Sequence, residues 1–182
     1  MEKINTSYFN YLYKIYRNRL PSSIKNKMYS IGLDKVNQDG RALYYVPEEL
    51  RDYTICITAV NQYGIALDDV PTELPEYKDI CIAAVNQEGY ALQYVPIELR
   101  DYDICMAAVK QNGKALDYVP TELPEYKDIC MAAVKQNGRA LFSVPIELRD
   151  YNMCMTAVKR NGGALEYVPK ELLSRIEEEL GL

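Results

Sequence analysis

The stretch from Asp101 to Leu123 reads D-Y-D-I-C-M-A-A-V-K-Q-N-G-K-A-L-D-Y-V-P-T-E-L. Ile104, Cys105, Ala108 and Val109 fall at i, i+1, i+4 and i+5, which lays them along one face of an α-helix. The Ala, Met, Lys and Gln around them are good helix formers. Asp101 or Asp103 suits the helix start, where a carboxylate meets free N–H groups and the positive end of the dipole. Gly113 stands where this helix is expected to stop, in the left-handed C-cap conformation that glycine takes most cheaply. Ala115, Leu116 and Val119 then make the apolar side of a second, shorter helix. Pro120 cannot continue it and starts a turn, with Glu122 favouring the start of a short third turn that Leu123 closes.

The same string occurs six times. Its glycines are Gly40, Gly64, Gly89, Gly113, Gly138 and Gly162, and its prolines are Pro47, Pro71, Pro96, Pro120, Pro145 and Pro169. Both series step by 24, 25, 24, 25 and 24 residues. A fixed period in the twenties is the mark of a stacked array, in which each repeat covers its neighbour's apolar face. Leucine-rich repeats share this period, but they need L-x-x-L-x-L-x-x-N with strand alternation. Here the equivalent stretch, I-C-M-A-A-V-K-Q-N, is rich in Ala and does not alternate. The expected fold is therefore all-α: a solenoid of six helical-hairpin repeats with an N-terminal helical cap and a C-terminal capping helix.

The alternation of 24 and 25 carries information. One junction type reads E-L-R-D-Y, ending at Tyr53, Tyr102 and Tyr151; the other reads E-L-P-E-Y-K-D-I, ending at Ile80 and Ile129. The true period is 49 residues, two repeats of different type. Ile97 and Ile146 follow the proline in one type, Thr72 and Thr121 in the other. Two alternating junction geometries are expected to set a superhelical path.

The ends depart from the pattern. Residues 1–28 read as a basic, Tyr-rich cap, with a separate helix over 4–19 before Pro21. Residues 29–172 are the array, and residues 173–182 complete a polar capping helix that begins near Glu171. In the first repeat Lys35 stands where later repeats have alanine, so that face is expected to be open on one side. Polar terminal repeats keep a solenoid soluble.

The run A-V-K-Q-N-G-x-A-L-x-Y-V-P-x-E-L-R-D resembles a family of short helical-hairpin repeats known only as a domain of unknown function. Residues 104–123 and 129–148 carry the resemblance best, and it extends over about residues 29–172. Such repeats occur in proteins of intracellular bacteria and their relatives, of large DNA viruses and of other microbes. The resemblance implies a fold and a habitat rather than a reaction.

Composition narrows the function classes. Hydrophobic residues at 48% and charged residues at 26% are ordinary for a folded soluble chain of 182 residues. No apolar run approaches the ~18 residues that span a bilayer, and the N-terminus lacks the apolar core of a secretory signal. Residues 1–30 hold six basic residues and one acid, so +5, which leaves −10 of the net −5 for the remainder. An array so acidic is a poor nucleic-acid partner, since phosphates need Lys and Arg; only the basic residues 1–30 offer such a surface.

No residue set announces chemistry. The chain has no histidine, which removes Ser-His-Asp and Cys-His catalysis and His-containing metal sites. No G-K-[ST] phosphate loop appears. Cys56, Cys81, Cys105, Cys130 and Cys154 recur in one slot of the first helix, too far apart for disulfides and without a C-x-x-C pair. They read as small buried hydrophobes in a reducing compartment, the cytoplasm of the parent cell or of a host. Glu49, Glu73, Glu98, Glu122, Glu147 and Glu171 read as charges at short helix starts, not as a cation groove. Tyr53, Tyr77, Tyr102, Tyr126 and Tyr151 share a slot and are expected to pack between repeats. No catalytic residue, cofactor or metal is expected.

The informative positions are those where the repeats disagree. They flank each glycine and fill the two residues before each V-P. Aromatic side chains at semi-exposed slots of this kind are the usual anchors of an interface. Tyr63, Tyr90 and Phe142 are the candidates, with Asp68 and Asp69 as polar partners. The expected function is a non-catalytic protein-binding scaffold, an effector or virus-encoded inhibitor that grips a host enzyme or complex. The alternative is a self-assembling protein that oligomerises through its Tyr-rich N-terminal helix.

Overall fold

The structure, a computed structural model, describes residues 20–181. They are α-helical and 3-10 helical, with no strand among the described residues. The α-helices are α1 (Ser22–Gln38), α2 (Tyr53–Gln62), α3 (Tyr77–Gln87), α4 (Tyr102–Gln111), α5 (Tyr126–Gln136), α6 (Tyr151–Arg160) and α7 (Lys170–Leu180). A six-residue 3-10 helix follows each of α1 to α6: Gly40–Tyr45, Gly64–Asp69, Gly89–Tyr94, Gly113–Tyr118, Gly138–Ser143 and Gly162–Tyr167. The expected helical hairpin is therefore an α-helix paired with a 3-10 helix. The helix expected over residues 4–19 lies outside the described residues. Helix α1 runs through residues 28 and 29 without a break, and α7 does so through 172 and 173.

The chain divides into two compact units, Met1–Gln87 and Glu88–Leu182. In the N-terminal unit α1, α2 and α3 pack in sequence, with the 3-10 helices Gly40–Tyr45 and Gly64–Asp69 against them. In the C-terminal unit α4, α5 and α6 pack in sequence, and the 3-10 helices stack in the same order. The faces expected from spacing are the buried ones. Ile104, Cys105, Ala108 and Val109 of α4 are buried, as are Ala115, Leu116 and Val119. Within the 3-10 helix Gly113 and Leu116 lie three residues apart, one 3-10 turn, and both are buried; Val119 follows in extended backbone. Val36 is buried although Lys35 beside it is exposed, so the first repeat presents its open side through that lysine.

The glycine of the repeat has a different role from the one expected. Among the described residues only Gly181, ending α7, takes a positive φ. Helix α4 ends instead in extended backbone at Asn112, φ −145°, and Gly113 opens the next helix. Glycine is required there by close approach: a Cβ on Gly113 would lie 2.7 Å from the Ala133 carbonyl oxygen of α5. Gly40, Gly89 and Gly138 face Ala59, Ala108 and Ala157 in the same way. Gly162, in the last repeat, has nothing within 4 Å, since no further hairpin covers it.

A glutamine makes the contact polar as well as close. Gln136 Oε1 accepts from the Gly113 N–H at 2.8 Å, and its Nε2 donates to the Gln111 carbonyl at 3.2 Å. Gln87 does the same for Gly64 and Gln62. One side chain thus satisfies a donor and an acceptor that the helix break leaves open.

The extra residue of the longer repeats sits in the α-helix. Helices α2, α4 and α6 have 10 residues, α3 and α5 have 11. The insertion moves tyrosine from two residues before the core isoleucine to three, about 100° around the helix. Tyr77 and Tyr126 are buried accordingly, whereas Tyr53 and Tyr102 are 39% and 37% exposed. The tyrosines therefore share a place in the repeat but not a helical face, which corrects the expectation that all of them pack between repeats. The shorter helices are capped by aspartate: Asp101 Oδ1 accepts from Ile104 N, and Asp52 and Asp150 act alike.

Candidate functional site

The E-L-R-D-Y junction places one arginine per 49 residues where it reaches three carbonyls. Arg149 donates through Nε to Val144 O at 2.9 Å, through Nη1 to Tyr167 O at 2.7 Å and through Nη2 to Phe142 O at 3.1 Å. Its backbone N–H also donates to Ile146 O. Arg100 makes the same set with Val95, Tyr118 and Gln93, and its N–H meets Ile97 O. Arg51 does so in the N-terminal unit, with Val46, Asp69 and Tyr44. The guanidinium sits at the C-terminal ends of two successive 3-10 helices, where a fixed positive charge is favoured and free carbonyls need donors.

Each clamp holds a corner of large side chains. At Arg149 the Phe142 ring meets the Tyr167 ring edge-on, with centroids 5.3 Å apart. Phe142 is 68% exposed and Ile146 65%. At Arg100 the Tyr90 ring meets Tyr118 at 5.3 Å, and Ile97 is 66% exposed. A hydrogen bond with Tyr90, then burial, pushes the Tyr118 hydroxyl up to about 12. Such T-shaped pairs favour a fixed ring orientation.

Of the expected binding residues, Tyr90 and Phe142 stand at these two corners of the C-terminal unit. Tyr63, Asp68 and Asp69 belong to the N-terminal unit, where they flank or end the 3-10 helix Gly64–Asp69. Tyr63 precedes that helix and the two aspartates close it, about 10 Å apart along a 3-10 axis. They do not converge. The Tyr63 ring lies under the Arg41 guanidinium, 5.0 Å from its centroid. Asp68 is exposed and Asp69 half-buried. Burial pushes the Asp69 carboxyl up, with Arg51 opposing, while its carbonyl serves the arginine clamp.

Several variable slots before the glycine prove to be structural. Asp39, Asn112, Asn137 and Asn161 each accept a hydrogen bond from the backbone N–H two residues on. Tyr63 and Glu88 hold that slot without a side-chain cap. Sequence alone does not single out Arg100, Arg149, Ile97, Ile146, Tyr118 and Tyr167, which the structure brings to the same corners. The invariant Arg within E-L-R-D-Y and the isoleucines 49 residues apart were the available signals.

The cysteine ladder takes the place expected of it, and the glutamate ladder does so only in part. All five cysteines are buried and unpaired. Burial raises their thiols, Cys56 to about 12 and Cys81, Cys105, Cys130 and Cys154 to about 11. Glu49, Glu98, Glu147 and Glu171 stand in the first turn of a short helix or of α7, and Glu73 and Glu122 in exposed turns. Among the described residues no three His, Cys, Asp or Glu side chains gather as a metal site, and no helix is long and apolar enough to cross a membrane.

Stacked α/3-10 hairpins locked by glutamine, glycine and arginine define a helical-repeat solenoid protein. Within that class the chain belongs to the family described as "Domain of unknown function (DUF4116)", which it matches three times in tandem, over residues 33–74, 77–123 and 126–173. Each match spans two glycines of the repeat, so the family unit is the 49-residue pair with one arginine clamp inside it. No curated protein and no solved structure matches the chain.

Proposed function

We propose that this chain is a non-catalytic protein-binding scaffold, and that the clamped corners of the C-terminal unit grip the partner. The observation that carries this reading is the exposure of Phe142, Ile146 and Ile97, each about two-thirds open, on backbone whose carbonyls are hydrogen-bonded by Arg149 and Arg100. Burying such a side chain contributes about 1.5–3 kcal/mol, and a rigid anchor loses little entropy on binding. Tyr90 and Tyr118, both half-buried, add an edge-on aromatic pair. Tyr63, Asp68 and Asp69, at opposite ends of one 3-10 helix in the N-terminal unit, would act as separate contacts rather than as one patch.

The resemblance to repeats of intracellular bacteria and large DNA viruses supports a host protein as partner, and with it a role as effector or inhibitor. Five buried, unpaired cysteines support a reducing compartment. The absence of histidine supports a role without catalysis.

The test is affinity capture from host lysates with the intact chain and with a Phe142→Ala, Ile146→Ala, Tyr90→Ala triple variant of unchanged circular dichroism. Loss of a captured protein by the variant supports the corner reading. Retention places the contact elsewhere. Capture of nothing, together with a mass that grows with concentration, favours self-assembly through residues 4–19.

A further inference from the structure

A second surface of the C-terminal unit has its own chemistry. Helices α4 and α5 leave an open groove of about 510 Å³, floored by Met106 and Met131 and walled by Lys110, Lys135 and Asp128. Both methionines are half-buried. Flexible thioethers of this kind adapt to varied apolar side chains. Lys110 and Lys135 stand in the last turns of their helices, and Lys159 and Arg160 hold the last turn of α6.

A lysine at a helix C-terminus has a structural use, since it meets the negative end of the dipole. That use does not account for these residues. At the slot of Lys110, Lys135 and Lys159, the other repeats carry Asn37, Asn61 and Asn86. Neither α2 nor α3 has a basic residue in its last turn, although both are built in the same way. The floor differs as well: Ile57 and Ile82 occupy the slot of Met106 and Met131. The fold is satisfied without the cations and without the methionines. Lys110 and Lys135 make no ion pair among the described residues, even with Asp128 in the same groove.

We infer that the α4–α5 groove is a docking site for a short acidic and apolar peptide segment of a partner protein. Its apolar side chains would lie on Met106 and Met131, and its carboxylates would meet Lys110 and Lys135. Charge complementarity selects this occupant: a basic rim in a chain of net charge −5 attracts a carboxylate-bearing segment and repels a basic one. The methionine floor favours a peptide with apolar side chains over nucleic acid, whose phosphates would gain nothing from it. The inference is independent of the corner reading, because it rests on other residues.

The experiment is selection of a displayed library of random 12-residue peptides on the full chain, followed by binding assays of the enriched peptides. We expect enrichment of peptides that combine Asp or Glu with Leu, Ile, Phe or Met. Their dissociation constants should rise at least about tenfold in Lys110→Glu/Lys135→Glu, and rise steeply with added salt in the intact chain. Both lysines are surface residues, so the variant is checked for unchanged circular dichroism and melting. Phe142→Ala/Ile146→Ala should leave these peptides bound, which separates this site from the corners. The inference is overturned by no enrichment, by enriched peptides without acidic bias, or by equal affinity for the charge-reversed variant. It is overturned equally if a uridine homopolymer RNA binds the intact chain better than the peptides do and loses its site in the same variant.

Discussion

Arg149 in one repeat donates its Nη1 hydrogen to the carbonyl of Tyr167 in the next, at 2.7 Å and 18 residues along the chain. With Nε on Val144 and Nη2 on Phe142, one guanidinium ties two successive 3-10 helices at their open ends. Only a planar fork of donors can serve all three carbonyls; an ammonium is a point charge. Arg149→Lys should therefore cost about 2 kcal/mol in urea unfolding, close to the cost of Arg149→Met. A loss below about 0.5 kcal/mol would show that water replaces the clamp without penalty.

The glycine slots should separate by position. Gly113→Ala drives a methyl against the Ala133 carbonyl and should destabilise by about 2–3 kcal/mol. Gly162→Ala meets open space on ordinary backbone and should be neutral or stabilising by up to about 1 kcal/mol. Thermal melts of the two single variants make the comparison. Equal losses would mean that glycine is needed for the backbone and not for close approach.

Gln136→Leu removes an acceptor from Gly113 N–H and a donor from Gln111 O in one change. A cost of about 1–3 kcal/mol is expected from leaving partly buried groups unpaired. Helix α6 offers the reverse experiment. Arg160 holds the glutamine slot and donates to Gln136 O at 3.4 Å, but a guanidinium cannot accept from Gly138 N–H. Arg160→Gln should raise the melting temperature, and hydrogen exchange at Gly138 should slow with it.

Asp150 predicts an acid-sensitive contact. A hydrogen bond from Lys127, at 2.7 Å, and the capped Met153 N–H hold its carboxyl below the usual range. A carboxyl depressed in the folded state stabilises above its unfolded value of about 3.9 and loses that stability as pH falls through the folded value. Asp150→Asn keeps a cap but not the charge. The stability gap between wild type and variant should be constant near neutrality and shrink below about pH 4. Urea midpoints across the acid range measure it, and a gap that widens in acid would contradict the sign.

The cysteines should behave as core. Burial lifts their thiols to about 11–12, so almost no thiolate exists at neutral pH and none is within reach of a reagent. Modification by a disulfide reagent should run at the rate of unfolding and accelerate with urea. A fast fraction in native buffer would identify a thiol that the fold does not cover.

Periodicity alone fixed much of this protein. The spacing of Ile104, Cys105, Ala108 and Val109 determined the helix and its buried face, because burial of an apolar stripe dominates helix formation in a stack. The 24/25 steps determined the two-repeat unit, which is also the span of each family match. Asp101 was legible as a cap, since its chemistry acts on its own neighbours three residues away. Contacts between repeats were not legible in this way. Gly113 invited a left-handed reading until Ala133 was seen against it, and Tyr77 looked equivalent to Tyr53 until one inserted residue turned it inward. Arg149 was visible as a letter of E-L-R-D-Y, but its three acceptors come from residues five, seven and eighteen positions away. Local chemistry and period are written along the chain, so the sequence determined the helices, the caps and the stacking unit. Which backbone atoms meet across repeats, and which side chains are left standing outside, is set by close packing in three dimensions, and only the tertiary structure decided that.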